Sequence, residues 1–285
     1  MKRERKGLRD LNLLDRFLFA ETIEDPEAME QILEIILGRD VVLKHLPQAE
    51  KEHRRFLWGK QVKLDVWAED TDDILYDVEV QKRNTKDIPK RSRMYNSMID
   101  SRLLLPGTRS YNELNDVYII IITPFDLFGK GRYKYTFGMG CVEHPGIWLN
   151  DGATRIFLNT GGTDSEGVSE ELVALLRYFE SSTDIMAKAS HSEKINNLHK
   201  KVVQIKENEK VGIKFMNLWE EKLLDRQEGY EKGLAEGEKR GRVVGITEGE
   251  SKRSKEIAEK MKEKGIALTE ISDMTGIPVS DLERL

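Results

Sequence analysis

The stretch VKLDVWAEDTDDILYDVEVQKRN, residues 62–84, decides the fold because it carries two strand patterns on either side of a short polar turn. Apolar and polar residues alternate over 62–69 and again over 75–81, with the period of two that is typical of β-strands. The connection TDD at 71–73 is short enough to make an antiparallel hairpin. The polar positions of the second strand should form one row, on the face that its apolar residues avoid: Asp77, Glu79 and Gln81.

The acids of the two strands predict a metal site. Asp65 and Glu79 are each out of phase with the apolar residues of their own strand, so both should lie on one face of the hairpin. Carboxylates that close repel each other unless a cation lies between them. Mg²⁺, or another divalent cation such as Mn²⁺, takes such oxygen ligands and activates water for attack on a phosphate, and Gln81 would orient that water. The alternative is that these acids are ordinary surface residues of an edge hairpin.

Two basic stretches lie on either side of this acidic row in the sequence. Residues 51–63 carry five Lys or Arg against one acid, and residues 81–93 carry six against one. One interpretation is that both are solvated surface segments. The other is a rim that binds the phosphates of a nucleic acid around an acidic centre. The candidate nucleic-acid-binding residues of this rim are Lys63, Lys82, Arg83, Arg91 and Arg93.

The flanking sequence predicts an α/β fold, with a central mixed sheet covered by helices. Residues 11–38 have apolar residues at helical spacing and should form two helices broken near Glu24, with Pro26 at the start of the second and Gly38 after its end. A helix opened by Pro89 should follow the hairpin. The run VYIIII at 117–122 is typical of a strand buried on both faces. Further strands are expected within 133–143 and 153–160, followed by an amphipathic helix over 169–182.

Residues 184–226 show only helical patterns, and a glycine repeat follows them. Glycine recurs at every fourth residue from Gly229 to Gly249, and on an α-helix each would sit about 40° past the last. This segment is either a charged linker or a helix that packs closely against another copy. Residues 251–285 resemble a helix-turn-helix unit, but Asp281 and Glu283 suit a protein contact better than the major groove of DNA.

The composition of the chain argues against a membrane protein, a secreted protein and a disulfide-bonded protein. Six consecutive apolar residues are too few to cross a bilayer, and the basic N-terminus is not followed by the apolar segment of a secretory signal. The single Cys141 cannot form an intrachain disulfide. These features favour a cytoplasmic protein without a membrane segment.

The hairpin and its neighbours resemble the PD-(D/E)xK nucleases, in the variant where Gln replaces the usual Lys, and more closely the Rpn recombination-promoting nucleases, which are also described as transposases. The resemblance covers roughly residues 10–250: the N-terminal helices, the acid-bearing hairpin, PKRSRMYNSMIDS, DVYIIIITPFDLFG and the glycine repeat. It implies a restriction-endonuclease-like fold with a helical C-terminal extension. It also implies a Mg²⁺-dependent endonuclease that hydrolyses DNA phosphodiester bonds, linked to recombination or mobile elements.

The resemblance also assigns residues. Asp65 and Glu79 correspond to the metal ligands, and together with Gln81 they form the catalytic set. Asp15 on the first helix is a further acid for the site or simply a helix cap, and Asp77 is an extra ligand or a surface acid. Because an amide lacks the charge of the usual Lys, a nearby cation would have to compensate, and Lys63, Arg91 and Arg93 are the candidates.

The expected organisation is a nuclease-like domain over 1–183, a helical region over 184–228, a charged helix or linker over 229–250 and a small helical tail over 251–285. Two other functions stay open. The chain could be a degenerate nuclease that binds DNA or a protein without cutting. It could also be an assembly protein that forms homo-oligomers through its C-terminal helices.

Overall fold

The computed structural model describes residues 6–53, 62–103 and 110–285, without the side chains of 48–53 and 62–66. The chain divides into two compact units, the first ending at Phe215 and the second beginning at Met216. The helices are α1 (Arg16–Ile23), α2 (Pro26–Leu37), α3 (Ile88–Leu103), α4 (Glu170–Glu180), α5 (Asp184–Ala189), α6 (Glu193–Glu207), α7 (Glu209–Glu263), α8 (Leu268–Thr275) and α9 (Val279–Leu282). The strands are β1 (Gln48–His53), β2 (Val62–Glu69), β3 (Leu75–Val80), β4 (Val117–Thr123), β5 (Lys134–Phe137) and β6 (Ala153–Asn159).

The N-terminal helices form as their sequence predicts. Asp25 caps α2 by accepting a hydrogen bond from the backbone N–H of Ala28 at 3.1 Å, and Pro26 occupies the first turn. Gly38 ends α2 in the left-handed region, with φ of 70°. Before α1, the N–H of Leu13 donates to Ser182 Oγ at 2.9 Å and the N–H of Leu14 donates to the carbonyl of Phe179 at 3.2 Å. These bonds attach the start of the chain to the end of α4.

The strands of the described residues make one sheet in the order β1-β2-β3-β4-β6-β5. β2 and β3 are the predicted antiparallel hairpin, and β3, β4 and β6 run parallel to one another. The sheet is therefore mixed, as expected. β4 is buried on both faces, which its unbroken apolar sequence predicted. The strand β1 was not predicted, because its residues do not alternate between apolar and polar.

Both faces of β3 are covered, which corrects one expectation. Tyr76 and Val78 pack into the larger core, which α1, α2, α4 and α6 close on one side of the sheet. The other face was expected to be avoided by apolar residues, but Leu75 lies there in a second core, packed with Ile88, Tyr95 and Ile99 of α3. The prediction that apolar residues avoid this face was wrong because α3 covers the row of acids. The helix α3 also buries polar residues of its own, Ser92 and Asn96.

The end of the sheet is shorter than its sequence suggested. The strand expected within 133–143 is limited to β5, after which only an isolated bridge pairs Gly140 with Trp148. β6 extends over nearly the whole of its predicted stretch.

The C-terminal unit is helical. α7 includes the whole glycine repeat, so the interpretation as a helix is the one that the structure supports. Gly265 and Gly276 turn the chain before and after α8 with φ of 77° and 71°. A small core of Ala258, Ile271 and Leu282 holds α7, α8 and α9 together. None of the helices in the described part of the chain combines the length and apolar character that crossing a bilayer requires.

Candidate active site

Glu79 lies on β3 between two paired strands, and only 6% of its surface is exposed. Its face of the sheet is the one that α3 covers, because it alternates with Val78 and Val80, which belong to the opposite core. A carboxylate so deeply buried requires a compensating charge or hydrogen bonds.

Arg91 of α3 supplies that charge. Its Nη2 donates to Glu79 Oε1 at 2.9 Å and to Gln81 Oε1 at 3.1 Å, so one nitrogen connects two of the three candidate catalytic residues. The guanidinium also lies 5.8 Å from the centre of the Tyr95 ring, within the range of a cation–π interaction. Arg91 is therefore part of the site itself and not only of the outer rim.

Burial and charge act in opposite directions on Glu79. Burial raises the pKa of its carboxyl group, while the charge of Arg91, a hydrogen bond from Tyr95 and the charge of Arg16 lower it. Burial dominates, so the pKa lies above the ordinary value of 4.5.

Gln81 follows directly after β3 and is fixed at three points. Its backbone N–H donates to the carbonyl of Ile122 at 2.8 Å, which extends the pairing with β4 by one residue. Its side-chain Nε2 donates to the carbonyl of Arg83 at 2.6 Å, while Oε1 accepts from Arg91. An amide has two N–H donors and two lone pairs, so one of each remains to bind a ligand.

Asp65 and Lys63 both belong to β2, but their side chains lie outside the described part of the structure. Their assignment as metal ligand and DNA contact stays a prediction. The pairing of the hairpin is described where Trp67 lies opposite Asp77.

Asp77 is fully buried, so the expectation of a surface acid is wrong. It shares the α3-covered face with Glu79, two residues further along β3. The correction has the same cause as before, since the sequence did not predict that α3 covers this row.

Asp15 and Lys82 lie together at the edge of the site. Asp15 occupies the N-cap position of α1 and accepts from the backbone N–H of Asn12 at 2.9 Å. Lys82, which alternates away from Gln81 as expected, forms an ion pair with Asp15. Asp15 thus occupies the N-cap position without a side-chain hydrogen bond to the helix, and its carboxylate pairs with a rim lysine.

The remaining rim residues are exposed. Arg83 follows Gln81 in the loop between β3 and α3, and Arg93 lies on the outer side of α3. Lys86 and Lys90 are also exposed in this segment. A run of exposed cationic side chains therefore lies in the loop and the helix that follow Gln81.

Sequence reasoning missed how Arg91 and Tyr95 converge on Glu79. The signal was present in α3, where Ile88, Ser92, Tyr95 and Ile99 recur at intervals of three and four and are all buried. Arg91 belongs to the same helical face. Arg16 of α1, whose charge reaches Glu79, had no comparable signal.

The residues present fit a divalent cation. Glu79 Oε2 is buried and has no hydrogen-bond partner among the described residues, so a hard oxygen donor is available. In the ranges that the structure describes, no group of three or more His, Cys, Asp or Glu side chains is arranged to hold a metal. A site at Glu79 would therefore depend on few protein ligands, as is common for Mg²⁺.

Comparison with known families gives one match, to the PD-(D/E)XK nuclease family transposases, over residues 15–228. Neither the curated proteins nor the solved structures that were compared gave a match. The matched range includes α1, the hairpin, α3 and the whole sheet. Nucleases of this class act on DNA and generally use divalent metal ions. The sheet, the acid-bearing hairpin and the family match agree, and the chain belongs to the PD-(D/E)XK nuclease family transposases.

Proposed function

We propose that the protein is a divalent-metal-dependent DNA endonuclease that hydrolyses phosphodiester bonds. The observation that carries the proposal is the buried Glu79 at the end of β3, held with Gln81 by one arginine. Mg²⁺ is the cation that we expect, with Mn²⁺ as a substitute. We further propose that the activity serves recombination or mobile elements in the cytoplasm.

The register of the hairpin supports Asp65 as the second ligand. Trp67 lies opposite Asp77, so an antiparallel pairing that continues for two residues would set position 65 of β2 across from Glu79. In our proposal these two carboxylates hold the ion. The ion supplies an activated water and stabilises the charge that develops on the phosphate.

The side chains of this site have distinct roles in our proposal. Gln81 keeps the attacking water in line, because its amide is oriented by Arg83 and Arg91 and retains one donor and one acceptor. Tyr95 and Arg91 oppose the rise in the pKa of Glu79 that its burial causes. Lys63, Lys82, Arg83 and Arg93 contact the DNA backbone.

A plasmid-nicking assay with Mg²⁺ or Mn²⁺ tests the proposal. Glu79→Ala should lower the cleavage rate by about 100-fold or more, since it removes a ligand and an organising charge. Arg177→Ala is the matched control, because Arg177 is an exposed arginine of α4, outside the site. Equal cleavage by wild type and Glu79→Ala would refute the site.

One observation favours a second candidate, a degenerate nuclease that binds DNA without cutting it. Arg91 already compensates Glu79, as an internal cation would in a site that no longer uses a metal. This candidate predicts DNA binding that weakens with salt but no nicking with either ion by wild type or variant. The same assay, combined with a gel-shift titration, separates the two.

For the tail we propose self-association of α7 with a second copy of the chain. Several of its apolar side chains are largely exposed, among them Leu224 at 61%, Tyr230 at 72% and Leu234 at 53%. Acidic and basic residues are interspersed around them, so a second copy offers both apolar contacts and charges of opposite sign. Deletion of residues 229–285 should lower the number of chains per particle, calculated from the mass measured by light scattering. An unchanged number of chains would refute the proposal.

A further inference from the structure

Arg91 contacts Glu79 and Gln81 in an unusual way for a partly buried arginine. Arginine commonly grips a carboxylate with two parallel N–H donors, one from each of two nitrogens. Here Nη2 alone serves both Glu79 Oε1 and Gln81 Oε1. Arg91 Nε is buried without a hydrogen-bond partner among the described residues. The guanidinium group thus binds both acceptors through Nη2, at one end, while its Nε–H donor makes no hydrogen bond among the described residues.

The surroundings of Arg91 allow it to change partners. About 24% of its side chain is exposed, whereas only 8% of the side chain of Glu79 is. The ring of Tyr95 lies beside the cation, within the range of a cation–π interaction. The exposed Arg83 and Lys90 lie nearby in sequence, so a DNA phosphate attracted to this rim would approach the guanidinium.

We propose that Arg91 is an exchangeable counter-ion of the catalytic acid, which releases Glu79 to a divalent cation and then binds the DNA phosphate. The inference rests on the proposed function of this site. In the resting protein Arg91 pairs with Glu79 and holds its carboxylate in place. When Arg91 turns to the phosphate, it supplies beside Gln81 the positive charge that an amide lacks. Arg91 is then a catalytic residue, because it touches the substrate.

If Arg91 exchanges Glu79 for the phosphate, one variant should show two opposite effects: a higher Mn²⁺ affinity and a lower rate of DNA cleavage. Arg91→Met keeps most of the side-chain volume and removes the competing cation, so Mn²⁺ should bind more tightly, by roughly tenfold. The same variant should cut DNA more slowly, by about 100-fold, since the phosphate loses its cation. Damage to the fold would weaken both, so tighter ion binding with slower cleavage distinguishes exchange from a structural role.

The experiment uses the full chain and MnCl₂ without DNA, in titration calorimetry at about pH 8, well above the ordinary pKa of carboxyl groups. Wild type, Arg91→Met, Arg91→Lys and Arg177→Ala are compared, and each is then assayed for plasmid nicking. Arg91→Lys retains a shorter cation, so its Mn²⁺ affinity should lie between those of wild type and Arg91→Met, and it should recover part of the cleavage. Arg91→Lys can replace Arg91→Met in the test if Arg91→Met does not fold. Its Mn²⁺ affinity should then rise above that of wild type, by less than is expected for Arg91→Met.

The possible results distinguish a failure of the Arg91 exchange from a failure of the endonuclease proposal. Mn²⁺ affinity of Arg91→Met equal to or below that of wild type overturns the exchange, as does the absence of Mn²⁺ binding by every variant. Tighter binding with undiminished cleavage overturns the role at the phosphate. If wild type binds Mn²⁺ but does not cut DNA, the endonuclease proposal fails, while tighter binding by Arg91→Met would still establish Arg91 as the competing cation.

Discussion

Asp70 is the residue that fixes the hairpin on which Glu79 lies. Only 1% of it is exposed, and it follows β2 directly at the start of the turn. Oδ1 accepts from the backbone N–H groups of Asp72 and Ile74 at 3.0 and 2.9 Å, which closes the turn. Oδ2 accepts from Tyr76 Oη at 2.6 Å and from Arg39 at 3.3 Å. One carboxylate therefore joins the turn, β3 and the loop after α2.

Asp70→Ala should lower the free energy of unfolding by about 3 kcal/mol near neutral pH, because it leaves several buried donors without an acceptor. Burial alone would raise the pKa of Asp70, but hydrogen bonds from Tyr76, the turn and Arg39 bring it below 3.8. The contribution is thus complete above pH 3.8 and is lost as the pH falls through the lower folded-state value.

Urea denaturation of both proteins across the acid range measures this effect. The difference in unfolding free energy between wild type and Asp70→Ala should shrink as the solution becomes more acidic. Asp72→Ala is the control, since 73% of that side chain is exposed, and should change stability by at most about 0.5 kcal/mol. A difference that does not vary with pH would contradict the role of the ionised Asp70.

At the residue scale, the sequence predicted which side chains of β3 share a face but not what meets them there. The alternation of Glu79 and Gln81 with Val78 and Val80 was sufficient to predict which side chains share a face, because a strand has a period of two. The contact of Arg91 with both depends on where α3 packs on the sheet. That placement arises from tertiary contacts, which a local pattern does not contain.

At the element scale, the glycine repeat of α7 has a measurable energetic cost. Glycine is less favourable than alanine in a helix by about 1 kcal/mol. A Cβ added at Gly237 or Gly241 would meet no other atom within 4 Å in the described part of the chain. Nothing within the described chain therefore requires glycine at these positions.

Gly237→Ala should consequently stabilise α7 by about 1 kcal/mol, measured as a higher midpoint of helix loss in circular dichroism. If the glycines serve close packing against a second copy, the same change should lower the mass measured by light scattering. Gly265→Ala is the opposite control, because its φ of 77° disfavours a side chain, and it should destabilise the tail. A Gly237→Ala protein with unchanged helix stability would contradict this account.

The elements themselves were largely predictable where local signals were strong. The cap and stop of α2, the hairpin and the buried β4 depend on residues within a few positions of each other. β1 and the short β5 were missed or misjudged because pairing with a neighbouring strand defines them. Strand formation of this kind depends more on context than on the intrinsic preference of the residues.

At the scale of the whole molecule, the two units have cores of very different size. The first contains the sheet with a core on each face. The second has Ala258, Ile271 and Leu282 as its buried apolar residues among those described. A core of that size rarely contributes more than about 3–5 kcal/mol.

We therefore expect calorimetry of the full chain to give two thermal transitions, with the C-terminal unit unfolding at the lower temperature. A chain truncated after Glu228 should lack the lower transition and keep the upper one within about 2 °C, because the sheet and its cores are intact. A single transition in the full chain that moves strongly on truncation would show that the two units unfold together.

The order of synthesis gives the attachment of Leu13 to Ser182 a further consequence. These residues are 169 positions apart, so at about 5–20 residues per second the ribosome makes the second on the order of ten seconds after the first. Until then α1, which carries Arg16, has no anchor at the end of α4, and the electrostatic surroundings of Glu79 are incomplete. A nascent chain that stalls before this point would expose the acidic hairpin without its full set of neighbouring charges, so we expect the candidate site to assemble late in translation.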